Sequence, residues 1–181
     1  MSHWKILPDT NDQFYFLTCV VTERVFIFTS HDYFQTIIQS LKYCQEKKDL
    51  CLAGYVVMPN HLHLICAGSS AHPLSDTLRD FKQFTAKKII EELQAEKRAQ
   101  HLKLFREAAE QDGRGSSFKV WTEGNHPILV NSDMMFREKL LYIHNNPVRK
   151  GYVEKPEHWS YSSARNYVLG DHSIIRLECL V

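Results

Sequence analysis

The stretch LCLAGYVVMPNHLHLICA, residues 50–67, decides the fold. Two apolar runs, Leu50 to Met58 and His61 to Ala67, flank Pro59-Asn60. Proline sets a turn-ready φ and asparagine tolerates turn geometry, so the pair predicts a reversal and the runs predict a β-hairpin. Within the second run, residues i and i+2 of a strand share a face. His61 and His63 therefore project together, while Leu62 and Leu64 project to the opposite, buried face.

Working outward, Gln13 to Val21 (QFYFLTCVV) is rich in aromatic and β-branched residues and predicts a strand, with Val25 to Phe28 as a short apolar continuation. His31 to Lys48 carries Phe34, Ile37, Ile38, Leu41 and Cys44 at helical spacing, with Ser30 or Asp32 as the cap. Leu74 to at least Leu102 predicts one long helix, whose buried stripe is Leu78, Phe81, Phe84, Thr85, Ile89 and Leu93. Gln111 to Ser117 is a connector, and Phe118 to Trp121 predicts a strand. Ser132 or Asp133 caps a helix running through Asn145 and stopped by Pro147. A tail with Pro156, Trp159 and Tyr161 follows, with a short helix near residues 162–168. This order predicts an α+β chain with helices packed on an antiparallel sheet, compatible with a split βαβ, ferredoxin-like arrangement. The expected organisation is one domain over residues 1–181 with a C-terminal extension from about 151.

The 22 Lys and Arg against 21 Asp and Glu give a formal net charge of +1, so any nucleic-acid surface must come from local clustering. No apolar run approaches the ~20 residues that span a bilayer, and the first residues lack a secretory pattern. Cys19, Cys44, Cys51, Cys66 and Cys179 are odd in number and form no CxxC, which predicts reduced thiols in a cytoplasmic protein.

Two clusters carry chemistry. Neutral imidazoles are common ligands of divalent metals, and a pair leaves coordination positions open. On spacing alone, His61 and His63 are evenly balanced between metal ligands and ordinary strand histidines. HxH also occurs in amidohydrolase barrels and cupins. The chain is shorter than the ~250 residues a barrel usually needs, and its helices and seven glycines disfavour a cupin. The second cluster is Tyr142-Ile143-His144-Asn145-Asn146-Pro147, which puts Tyr142 and Asn146 at i and i+4 on one helix face. An amide oxygen at Asn146 is a candidate third, hard ligand. Tyr142 would then stand near a metal-bound phosphate, although alone it reads as a core tyrosine. His144 lies on another face and is a poor base for Tyr142.

Residues 55–65 (YVVMPNHLHLI) resemble the HUH strand of single-tyrosine transposases, and residues 139–148 (KLLYIHNNPV) resemble the catalytic helix of the REP-associated tyrosine transposase branch. Trp121 with the nearby GNHPILV, and HWSYSSARNY at 158–167, resemble that branch's flanking segments. The resemblance implies a ferredoxin-like HUH fold, His61, His63 and Asn146 as ligands of Mg²⁺ or Mn²⁺, and Tyr142 as nucleophile. It implies cleavage and rejoining of single-stranded or hairpin DNA through a 5′-phosphotyrosine. It also implies a homodimer, though some members of the branch act as monomers.

Arg79, Lys82, Arg149 and Lys150 are the candidate phosphate contacts, with Lys87 and Lys88 further along the long helix and Thr85 sharing the face of Arg79 and Lys82. Arg149, just beyond the tyrosine motif, is the strongest of these. Two other classes remain in view: a DNA-binding protein with the same fold that cleaves nothing, and a metal-dependent hydrolase of small substrates. Tyr142 is needed only by the strand-cleaving enzyme. Replacement of His63, taken as an exposed ligand, is expected to leave the fold mostly intact.

Overall fold

The computed structural model describes residues 13–124 and 127–177. Its elements run β1 (Tyr15–Val20), α1 (His31–Lys48), β2 (Cys51–Met58), β3 (His61–Ala67), α2 (Leu74–Ala95), α3 (Ala99–Asp112), β4 (Ile128–Leu129), α4 (Asp133–His144), α5 (Asn146–Arg149) and α6 (Ala164–Leu169). The four strands form one antiparallel sheet in the order β2-β3-β1-β4. Strand β3 is thus inserted between β1 and β2, which are joined through α1. That is the split βαβ expected from the element order.

The central hairpin forms where Pro59-Asn60 predicts it. Strand β2 skips register between Leu52 and Gly54. A Cβ on Gly54 would come within 2.9 Å of Leu140 Cδ1, so the bare backbone there lets α4 lie close. Alternation along β3 then divides the molecule. Leu62, Leu64 and Cys66 join Leu17, Cys19 and the apolar stripes of α1 and α2 in the larger core. Phe16, Val56, Met58 and Ile65 meet Phe136 and Ile143 of α4 in a smaller one. Each fully buried leucine contributes about 1.5–3 kcal/mol by leaving water.

Several local expectations are corrected. The long helix breaks after Ala95, where Lys97 adopts φ 56° and the chain restarts as α3. Phe84 is 52 % exposed rather than part of the stripe. Phe118 to Trp121 makes one isolated bridge, Val21 to Trp121, instead of a strand; the fourth strand is Ile128–Leu129. Helix α4 ends at His144, and Pro147 does not stop the chain from turning. It sits in the first turn of α5, where its missing N–H was needed by no partner. Ser132 does cap α4, accepting from Met135 N at 3.3 Å. Cys44 and Cys66 are free thiols, as expected, but Cys51 is disulfide-bonded. Cys179 and His126 lie outside the described residues. No described helix is long and apolar enough to cross a membrane.

The segment after α5 closes the free edge of β2. Val57 N donates to Tyr161 O and Ser163 N to Tyr55 O, each at 2.9 Å. Tyr161 stacks on Phe34 with ring centroids 3.9 Å apart, and Trp159 Nε1 donates to Val57 O. An edge strand otherwise offers unpaired backbone groups to any passing chain.

Candidate active site

The α4 side of β3 carries the predicted site. His61 and His63 meet edge to face with ring centroids 4.8 Å apart. The Tyr142 ring stands against His63 at 5.3 Å and against Phe16 at 5.9 Å, both edge-on. Phe16 lies flat on His63 at 5.4 Å, which fixes the imidazole plane. The Arg149 guanidinium carbon sits 4.5 Å from the centre of the Tyr142 ring. Tyr142 remains 38 % exposed. Residues far apart in sequence are thus brought together by strand pairing and by the packing of α4 on β2 and β3.

Both imidazoles are held neutral. Burial lowers His63 to about 3, helped by the charge of His61 and of Arg149. Burial lowers His61 to about 4, helped by Arg24 and Lys150. Neutral imidazole is the ligating form. His63 is only 5 % exposed, which corrects the expectation of an exposed ligand and gives its ring a packing role as well.

Hydrogen bonding orients the rings. Asn60 Nδ2 donates to the Arg24 carbonyl at 2.8 Å, and a carbonyl can only accept. The Asn60 oxygen therefore faces His61, whose Nδ1 lies 2.7 Å away and must donate. That leaves the lone pair on His61 Nε2. On β1, Thr18 stands opposite His63, with Oγ1 and Nδ1 2.7 Å apart. Such contacts fix the orientation and basicity of a ligating histidine.

Asn146 is 2 % exposed, and its Oδ1 has no hydrogen-bond partner. A buried acceptor left without a partner costs about 1–3 kcal/mol. Asn145 between the two helices keeps helical geometry at φ −83° and ψ −3°, so Asn146 follows Tyr142 by about one turn. Among the described residues no three His, Cys, Asp or Glu cluster for a metal. The donor set here is two imidazoles and one amide oxygen, which fits a divalent cation with open positions.

The other basic candidates divide sharply. Arg149 and Lys150 are exposed and in no ion pair among the described residues. Arg79 is tied to Asp76 and Asp80, and Lys82 Nζ to Thr122 O, both on α2 and away from α4. Lys88 pairs with Glu91, with Lys87 at 4.0 Å from the same carboxylate. Thr85 is fully buried and accepts from Trp121 Nε1 at 3.0 Å, so it cannot track a DNA backbone as expected. His144 is buried, lowered to about 4 by desolvation, and bonded through Nε2 to Ser163 Oγ at 2.9 Å. It anchors α4 to the C-terminal segment. Phe16, Thr18 and Arg24 reach the site without any motif, because only β1 pairing and a turn place them there. Asn60 adjoins the HLH run and could have been suspected from that position.

The family model described as Transposase IS200 like matches residues 10–107. None of the curated proteins matches the chain. Among solved structures, a REP-associated tyrosine transposase bound to a REP hairpin is similar over 98 % of this chain and 90 % of its own, with 17 % identity and a TM-score of 0.61. A candidate transposase from Deinococcus radiodurans is 19 % identical over 80 % of this chain and 97 % of its own, with a TM-score of 0.45. The structural likeness concerns the fold, the ferredoxin-like α+β sheet with packed helices. The family match spans more than half of the chain and includes the histidine strand, so the protein belongs to the IS200-like transposase family.

Proposed function

We propose that this transposase cleaves and rejoins single-stranded or hairpin DNA, using Tyr142 as the nucleophile. The observation that carries the proposal is the Tyr142 ring set edge-on to His63 and capped by Arg149 while still open to solvent. In a packed core, a tyrosine between two helices and a sheet would be buried. Here the ring is held and the approach is free.

His61, His63 and Asn146 would hold the cation. When bound, Mg²⁺ or Mn²⁺ would polarise the scissile phosphate and offset the charge that builds up there. The Tyr142 oxygen attacks phosphorus, the bond from phosphorus to the 3′ oxygen breaks, and a 5′-phosphotyrosine forms. The phenol gives its proton to solvent water, to which Tyr142 is open, and the leaving 3′ oxygen takes a proton from water to end as a hydroxyl. Arg149 keeps the ring in place and puts a fixed positive charge beside it during attack. Rejoining is the reverse, and phenolate is a good enough leaving group to need no nucleotide cofactor. Arg149 and Lys150 are in position to receive flanking phosphates. Hairpin DNA is favoured as substrate because the structural relative was solved with a REP hairpin bound.

The test mixes purified protein with end-labelled hairpin oligonucleotides and Mg²⁺ or Mn²⁺, followed by a denaturing gel without protease. A protein-linked band that requires metal and vanishes in Tyr142→Phe is expected. Cleavage that survives in Tyr142→Phe would overturn the proposal and favour metal-dependent hydrolysis.

A further inference from the structure

Arg24 lies outside every motif, in the turn between β1 and α1, yet the turn is bolted to the histidine hairpin. Val21 N donates to Asn60 O, and Ile27 N and Phe28 N both donate to Pro59 O, each at 2.9 Å. Asn60 Nδ2 adds a bond to the Arg24 carbonyl. Glu23 and Arg24 occupy left-handed backbone at φ 53° and 55°. Neither is glycine or asparagine, so the turn is strained and is held by its surroundings. Its result is to place Arg24 one side chain away from His61, through Asn60.

The Arg24 side chain is exposed and in no ion pair among the described residues. Arg24 on the turn bonded to the histidine hairpin, and Arg149 and Lys150 on α5, are thus exposed cations in no ion pair among the described residues. Guanidinium groups in that position match phosphate oxygens in shape and charge.

We propose that Arg24 is a phosphate-binding residue of this site, fixed by Asn60, and that it holds a nucleic-acid strand from the β1–α1 turn while Arg149 and Lys150 hold it from α5. This rests on the reading of the site as one that takes a DNA strand, but it does not require the strand to be cut. Asn60 then links strand capture to ligand geometry, because the same side chain fixes both the Arg24 turn and the free nitrogen of His61.

The experiment measures binding of a fluorescent single-stranded oligothymidylate by anisotropy across a salt series. Wild type is compared with Arg24→Gly, Arg24→Lys and, as a distant control, Lys87→Ala. Glycine accepts φ 55° without strain, so Arg24→Gly keeps or raises the melting temperature while deleting the contact. Loss of one phosphate contact lowers the slope of log affinity against log salt by about 0.7 on single strands. Arg24→Gly is expected to lose that much, whereas Arg24→Lys and Lys87→Ala retain the wild-type slope. An unchanged slope in Arg24→Gly, an equal loss in the control, or no binding by wild type would each overturn the proposal. Because the readout needs no cleavage, failure of the Tyr142 chemistry would leave it standing.

Discussion

The two faces of β3 are buried to a similar degree and do opposite things. On the side of α1 and α2, Leu62, Leu64 and Cys66 join the larger apolar core. On the side of α4, His63 is nearly as deeply buried, but its surroundings include an orphaned amide oxygen, a solvent-open tyrosine and unpaired cations. The first face spends burial on packing. The second uses burial to keep two imidazoles neutral and pointed, beside a buried amide oxygen with no partner. A strand period of two is what lets adjacent residues serve both ends.

The largest effect that separates the faces comes from neighbouring substitutions. His63→Ala is expected to abolish metal-dependent DNA cleavage and to weaken Mn²⁺ binding by calorimetry beyond detection. It should also cost about 1–3 kcal/mol, since a stacked, buried ring is removed. Leu62→Ala should cost about 2–5 kcal/mol in urea unfolding yet leave cleavage intact at temperatures where the protein stays folded. If Leu62→Ala abolished cleavage in folded protein, the division between faces would fail.

Acid sharpens the same contrast. His61, His63 and His144 have pKa values pushed below the ordinary histidine value near 6.5. The unfolded chain therefore binds more protons than the folded one as pH falls below about 6.5. Metal-free protein should be fully stable above that pH and lose stability on acidification towards the folded values, by up to about 1.4 kcal/mol per pH unit for each histidine. Urea midpoints measured from pH 7.5 to 4.5 check this. A flat profile would mean that these rings are not held neutral by burial.

A smaller effect isolates the orphaned oxygen. Asn146→Leu removes an unsatisfied acceptor and should leave metal-free stability unchanged or raise it by about 1 kcal/mol, while removing the rise in melting temperature that Mn²⁺ gives wild type. Loss of stability without metal would show that the amide is structural.

How much of this could be read from sequence follows from the physics of each piece. The hairpin, α1 and the cap at Ser132 were legible because alternation, helical spacing and turn residues are local signals. The pairing of His61 with His63, and of Tyr142 with Asn146, was legible for the same reason. Strand β4 was not, because two residues at a sheet edge show no alternation. The break between α2 and α3 was hidden because the apolar spacing continues through it, and Lys97 carries no turn signal. Phe16 and Thr18 reach the site only through β1 pairing, and Arg24 only through a turn made of residues that do not usually make one. The disulfide at Cys51 has no spacing signature at all.

Tyr142 as nucleophile is tested most directly by which atom becomes joined to DNA. After reaction with a hairpin oligonucleotide and metal, nuclease trimming and trypsin digestion, mass spectrometry would locate the nucleotide remnant. It is expected on residues 140–149, the tryptic peptide LLYIHNNPVR, at Tyr142 and linked through the 5′ phosphate. A remnant on any other residue, or a 3′ linkage, would contradict it.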